Sequence, residues 1–536
     1  MAGEQSQSDV ALPVTVASDA AAGQTVTDQT ASESPASLLD QITAQAPGTG
    51  TGKPSEKLNP LRDFLTETNL AKLFTHWLGK VPSDQSQLEA ARTILSRDIA
   101  RIDQLLSDQV NAILHAPQFQ ALESAWRGLH YVWKTRAELV NERGFDEKGT
   151  ELQIRVLDVS KRELLRNFEK ASDFDQNALF QKVYEEEFGM AGGTPYGALL
   201  ANYEFTNHPD DLDLLSQLSG VGAAAFAPII SAASPELIGL DTFADLEKPV
   251  NLEAVFQQTR HRKWRSLREH PDTQFVGLTL PRVLMREPYR DDGSSRHGFR
   301  FEEDVQGADR EKYLWGNSAW AMGSVLLKAF SSCGWFADIR GVERGVDGGG
   351  LVTGLPTHSF HTDAYGVASR SSTEVSISDV QESELCDLGF IPLSHCKDTP
   401  YSVFYSNQSV HQPATYDDPV ATANARISAM LQYVLCCSRI AHYLKVKARS
   451  KLGSNLSPME IQNDLQSWLV QYVTPDEKAP PSMKAQYPLR EADVEVLDAP
   501  GQPGKYMLTI RLLPHYQLDQ LSSSMTLVAR RVDLKE

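Results

Sequence analysis

His358, His361 and Asp363 lie close together in the sequence, and two imidazoles beside a carboxylate form a donor set that suits zinc. A zinc-bound water there would make the chain a cytoplasmic metal-dependent hydrolase. The surrounding segment is rich in Ser, Thr and Gly, however, and lacks the H-E-x-x-H spacing that sets two histidines on one helix face. His395-Cys396 and Cys436-Cys437 offer nucleophiles, but sequence neighbours point apart on a helix or a strand. Gly345-Val-Asp-Gly-Gly-Gly350 has neither the G-x-G-x-x-G spacing nor a following helix, so it reads as a surface loop. The sequence contains no G-x-x-x-x-G-K-[ST] phosphate loop. Glu185–Glu187 is most simply a solvated helix face. These residues make no persuasive active site, and no cofactor is called for.

The elements that would position such groups point to a different kind of protein. With 536 residues and 41% hydrophobic content, the chain is long enough for two or three globular domains. A formal net charge of −19 repels nucleic acid and anionic lipid. Five scattered cysteines form no disulfide framework and read as reduced structural residues. No apolar run reaches the roughly 20 residues that span a bilayer, and residues 1–50 lack the positive leader of a secretory signal, which predicts a cytoplasmic location.

Asp418 to Gly453 reads as one continuous helix, with Pro419 at its first position and Gly453 as its stop. Ile427, Met430, Leu431, Val434, Cys437, Ala441 and Leu444 give it an apolar stripe. Arg439, Lys445, Lys447, Arg449 and Lys451 make its second half a basic arm on an acidic body, suited to self-assembly or to an acidic partner.

Met1–Lys57 is too poor in apolar residues to fold alone. Within it, Ser37–Gln45 places Leu38, Leu39 and Ile42 on one helical face behind a capping pair, as in a short docking helix. Asp9–Val16 alternates like a strand. Three helices are predicted between Asn59 and Asn141, starting at Asn59-Pro60, Pro82-Ser83 and Ala116-Pro117. Strands then alternate with helices. The strands are expected at Leu152–Val159, Ala198–Phe205, Ala225–Ile230, Gln274–Leu280 and Ala337–Gly341. The helices are expected at Lys161–Lys170, Ala178–Glu187, Asp210–Leu218, Leu252–Arg268 and Lys312–Ser332. This alternation predicts a mixed α/β fold with a largely parallel sheet. Further strands are expected at Thr373–Ile377, Gly389–Leu393, Tyr401–Tyr405 and Met525–Ala529, with a helix opening at Ser457-Pro-Met-Glu460. Pro500–Gly504 turns a hairpin between Asp493–Asp498 and Lys505–Leu513.

Several strings resemble one family closely: FQALESAWRGLHY at 119–131, VGLTLPR at 276–282, YLWGN at 313–317, LQYVLC at 431–436 and YPLR at 487–490. The sequence resembles the large subunit of the type VI secretion contractile sheath (the TssC/VipB family) from about Asn59 to the C-terminus. That resemblance implies a phage-tail-sheath-like core with an added helical region and a flexible tail. The implied domains are a tail at 1–58, a helical region at 59–145, an α/β sheath domain at 146–370 and a C-terminal core at 371–536. It also implies a structural, non-enzymatic role: pairing with a small sheath subunit, stacking with copies of itself around an inner tube of Hcp on a baseplate, and disassembly by the ATPase ClpV. Neither nucleic acid nor membrane is an expected partner. Family sheaths are knitted by exchanged strands, and the hairpin bearing Val494, Val496, Leu508, Ile510 and Leu512 is the expected receiving edge, with the donated strand in the N-terminal tail. Leu38, Leu39 and Ile42 match the short helix that engages ClpV. Within the assembly class, the alternative is the sheath of a phage-like contractile particle, which would have no ClpV partner.

Overall fold

The computed structural model describes residues 64–515, except 144–151, 172–173, 292, 294–297, 308, 343–347, 361–370, 398, 452–456, 477 and 499–505. The chain divides into two compact units, residues 1–106 and 107–536. In the first, α1 (Leu70–Leu78) is capped by the Asn69 side chain, which accepts from Ala71 N, and ends at Gly79 with φ 73°. Phe74, Trp77 and Leu78 pack on Ala91 and Ile94 of the long helix α2 (Gln85–Leu114), and Trp77 Nε1 donates to Asp98 Oδ2 at 3.0 Å. The start at Asn59-Pro60 lies outside the described residues.

In the second unit, α3 (Pro117–Arg143) is followed by α4 (Lys161–Lys170), whose Ser160–Glu163 capping box satisfies two end donors reciprocally. A turn of α-helix at Ala178–Phe180 continues as a π-helix, Gln181–Gly189. Next come β1 (Leu199–Phe205), α5 (Pro209–Ala225), β2 (Ile229–Ala233), α6 (Leu252–Gln257), α7 (Arg262–Arg268) and β3 (Val276–Leu280). Two short strands, β4 (Val283–Leu284) and β5 (Trp315–Gly316), precede α8 (Ala319–Cys333), β6 (Leu351–Val352), α9 (Asp379–Asp387), β7 (Ile391–His395) and β8 (Ser402–Phe404). The chain then runs through α10 (Pro419–Ser428), α11 (Leu431–Ser450), α12 (Pro458–Val470), α13 (Pro481–Gln486), β9 (Leu489–Asp498) and β10 (Tyr506–Pro514).

The main sheet has the order β1-β2-β3-β7-β8-β6 and draws strands from both sides of residue 370. Its first four strands are parallel, with Leu199 opposite Ile229, Ile229 opposite Val276 and Thr279 opposite Ile391. β8 and β6 join antiparallel. Both faces are covered, as a parallel sheet requires. Leu212, Leu215, Phe243, Trp264, Leu278 and Phe390 fill one side, while Ile230, Met322, Val325, Ile391, Phe404 and Leu431 fill the other. Gly277 permits the second packing, because a Cβ there would stand 2.8 Å from both Ile391 Cδ1 and Leu431 Cδ2.

The fold corrects several expectations. Asp418–Gly453 is not one helix: α10 stops at Ser428, Met430 is extended (φ −73°, ψ 132°) and bridges Gln408, and Leu431 N donates to Asn407 O at 2.9 Å. Tertiary pairing overrides an uninterrupted helical pattern there. Gly453 lies outside the described residues. Leu252–Arg268 is likewise broken, into α6, a 3₁₀ turn at Thr259–His261 and α7. Ala178–Glu187 is mostly π-helical, and the helix expected from Lys312 begins at Ala319. Strand β2 starts at Ile229 because α5 persists to Ala225. Leu152–Val159 and Ala337–Gly341 join no ladder, although Gly341 N donates to Phe404 O at 2.8 Å. Thr373 makes only an isolated bridge with Val283. Met525–Ala529 and Asp9–Val16 lie outside the described residues. Among the described residues, no helix is long and apolar enough to cross a membrane.

Candidate assembly interface

Helix α11 ties the hairpin to the body. Its first turns place Leu431 and Leu435 in the sheet core, and the next place Cys436, Ile440 and Leu444 in a separate core with Leu465 and Leu469 of α12 and Val494 and Val496 of β9. Leu508, Ile510 and Leu512 pack against that second core and remain partly exposed. The alternation of β9 and β10 thus works as the sequence reads: every second side chain faces inward.

The two edges of the hairpin differ. Gln466 and Gln462 lie one turn apart on α12 and reach the outer edge of β9. Val494 N donates to Gln466 Oε1 at 2.8 Å, Gln466 Nε2 donates to Ala492 O at 2.8 Å, and Val496 N donates to Gln462 Oε1 at 3.2 Å. Two glutamine amides therefore occupy the positions of a neighbouring strand and close that edge. The same bonds fix the phase of the ladder. Ala492, Val494 and Val496 turn their backbone groups away from β10, so their opposites Leu512, Ile510 and Leu508 form non-hydrogen-bonded pairs with them and turn theirs away from β9. Among the described residues the sheet has only these two strands, and nothing bonds the outer edge of β10. Leu508, Ile510 and Leu512 each present one N–H and one C=O there.

The cations expected to form a basic arm are engaged inside the chain. Arg449 donates to the terminal carbonyls of the π-helix, at 2.8 Å to Gly189 O and 2.7 Å to Met190 O, and so caps that end. Lys445 Nζ sits 3.3 Å from the centre of the Phe188 ring, and burial, then the neighbouring Arg449, lowers its pKa. Arg439 lies over Phe330 and Tyr443, Lys447 over Trp468, and Lys451 pairs with Asp464 at 3.1 Å. The spacing read from the sequence is real, but these cations clamp the π-helix and α12 to α11.

A second surface lies on α3. One face of the helix is buried: Gly128 faces Trp320, and Tyr131 Oη donates to Thr353 O at 2.7 Å. The other face exposes Leu122 (58%), Trp126 (66%) and Trp133 (51%), and such a run of large apolar residues marks an interaction site. In the first unit, Leu88, Leu95, Ile99, Ile102 and Leu106 of α2 are also exposed. The apolar stripes were legible in the sequence; which faces stay uncovered was not.

The proposed metal ligands do not assemble among the described residues. His358 is buried against Tyr313 and Phe360, with Nδ1 3.2 Å from the Arg290 guanidinium, so a metal at that nitrogen would face a fixed cation. His361, Asp363 and Gly345 lie outside the described residues, as do Leu38, Leu39 and Ile42. His395 Nδ1 meets Ser402 Oγ at 3.4 Å rather than Cys396, whose thiol instead lies 3.8 Å from Tyr405 Oη. Cys436 and Cys437 sit in apolar surroundings that push both thiol pKa values up, Cys437 to about 12, the reverse of a reactive thiolate.

Known proteins resemble this chain along most of its length. Residues 96–411 match the family described as EvpB/VC_A0108, tail sheath N-terminal domain, and residues 420–531 match the EvpB/VC_A0108, tail sheath gpW/gp25-like domain. The chain is 42% identical over 521 residues, 96% of its length and 98% of the relative's, to the type VI secretion system sheath protein TssC1 of Pseudomonas aeruginosa. Among solved structures, the baseplate of the anti-feeding prophage aligns with 71% of this chain and 84% of its own at 12% identity and a TM-score of 0.34. The contracted sheath complex of the extracellular contractile injection system PVC aligns with 71% and 89% at 10% identity and a TM-score of 0.33.

Proposed function

This chain belongs to the family of large subunits of the type VI secretion contractile sheath, and from that membership we propose that it works as half of a heterodimer whose copies are joined by strands added to β10. The observation that carries this reading is the asymmetry of the hairpin among the described residues, with β9 closed by Gln462 and Gln466 and β10 open. An incoming strand gains about four main-chain bonds at about 1 kcal/mol each, a few kcal/mol per contact. Weak at one site, the contact becomes strong when repeated along a tube.

The small subunit covers the exposed face of α3, where Leu122, Trp126 and Trp133 supply the apolar anchors that dominate binding energy. The tube encloses an inner tube of Hcp-type rings, stands on a baseplate, works in the cytoplasm without catalysis of its own, and is taken apart by a ClpV-type ATPase engaging Leu38, Leu39 and Ile42. The tail donates the exchanged strand. Ile510→Pro removes an outward N–H from the middle of β10. Negative-stain microscopy of the chain co-expressed with its small subunit should show hollow tubes, and the Ile510→Pro pair should give heterodimers but no tubes. Abundant tubes from the variant would refute the exchange at β10.

A further inference from the structure

Residues 152–159, Leu-Gln-Ile-Arg-Val-Leu-Asp-Val, have the composition of a strand, yet they enter no ladder. Among the described residues, no backbone N–H or C=O from Gln153 to Asp158 has a hydrogen-bond partner. Side chains nevertheless hold the segment in place. Arg136 Nε donates to Leu152 O at 2.6 Å, and Tyr203 Oη donates to Val159 O at 2.5 Å. The Arg155 guanidinium pairs with Glu187 and reaches Thr194 Oγ1 at 3.2 Å. Three fixed points pin the segment and leave its main chain open.

Val156 is 68% exposed and Leu157 53%. Adjacent residues of a strand project to opposite faces, so both faces would be apolar here, the pattern of a strand that ends up covered on both sides. Arg136 supplies continuity with the α3 surface, because the guanidinium that holds Leu152 also lies 5.1 Å over the ring of exposed Trp133. The unpaired segment therefore begins where the apolar face of α3 ends.

We infer that Gln153–Asp158 is a second acceptor strand, paired in the heterodimer by a β-strand of the same small subunit that covers α3. This rests on the heterodimer reading above and adds to it a site remote in sequence from β9 and β10. The occupant is a strand with apolar residues on both of its faces, since Val156 and Leu157 project to opposite faces and are the groups left to bury.

Hydrogen exchange followed by mass spectrometry on the co-purified heterodimer tests this. The backbone amides of residues 153–158 should exchange at least about 100-fold more slowly than those of an unstructured peptide. Val156→Pro should reduce heterodimer yield at least tenfold, while Val156→Thr, which keeps the N–H, should not. Peptide-like exchange in an intact heterodimer, or undiminished yield with Val156→Pro, would overturn the inference and leave the heterodimer standing. Protection that develops only in assembled tubes would assign the strand to a neighbouring copy and overturn the small-subunit occupant. Failure of the unmodified chains to co-purify would refute the heterodimer and this inference together.

Discussion

At the scale of single residues, the charges that matter are buried ones. Glu374 lies inside the unit with its carboxylate 4.0 Å from Arg282, whose guanidinium is shared with Glu204 at 3.2 Å and Glu311 at 3.4 Å. Burial, outweighing the attraction of Arg282 and assisted by the two other carboxylates, pushes its pKa up to about 7. A carboxyl whose folded value exceeds its unfolded one binds protons more readily when folded. The stability it contributes is therefore complete below about pH 4 and is lost as pH rises through 7. Glu374→Gln should raise the melting temperature at pH 8, by an amount equivalent to about 1–3 kcal/mol, and leave it nearly unchanged at pH 4, as read by calorimetry. An equal shift at both pH values would refute the linkage. None of this was legible in the sequence, because Glu204, Arg282, Glu311 and Glu374 are far apart in the chain. The cations from Arg439 to Lys451 were legible as a row, but their use was not, since the Phe188–Met190 carbonyls and rings that take them come from another part of the fold.

At the scale of elements, local signals served well where a cap or a turn residue decides the outcome. Ser160 with Glu163, and Ser457 with Pro458 and Glu460, start helices where their spacing says they should. β3, β7, β8 and the terminal hairpin also fall within or close to their expected ranges. What failed was continuity: nothing between Asp418 and Gly453 forbids a helix, and the break at Met430 is imposed by Asn407 and Gln408 from a preceding segment. The geometry behind the proposed receiving edge was half legible. Alternation marked the inward residues, but the closure of β9 depends on the i, i+4 glutamines of α12, whose spacing alone does not say that a strand edge lies beside them. Gln466→Leu leaves Val494 N–H and Ala492 C=O without these partners and should cost about 1–3 kcal/mol in chemical denaturation. A cost below a few tenths would mean that water replaces the amide freely.

At the scale of the whole chain, the family assignment rests on matches along nearly all of its length, and the candidate surfaces divide by what they offer a partner. The face of α3 offers apolar side chains, whereas β10 offers main chain. The docking site proposed at Ser37–Gln45 is separate from both in sequence, so its loss should spare assembly. Leu39→Asp, which replaces a side chain worth about 1.5–3 kcal/mol if buried, should abolish pulldown by a ClpV-type ATPase while tubes still form. Undiminished pulldown would remove the tail helix from the mechanism.

The unequal edges of the hairpin carry a further consequence. A hairpin with a single vacant edge among the described residues can accept only one strand, and if the subunit also gives one, its valence by this route is one in and one out. Such links run head to tail, so every protofilament has a direction, with dissimilar ends. A synthetic peptide copying the donated strand would occupy the vacancy and have nothing to pass on. It would act as a chain terminator, arresting growth at the accepting end alone.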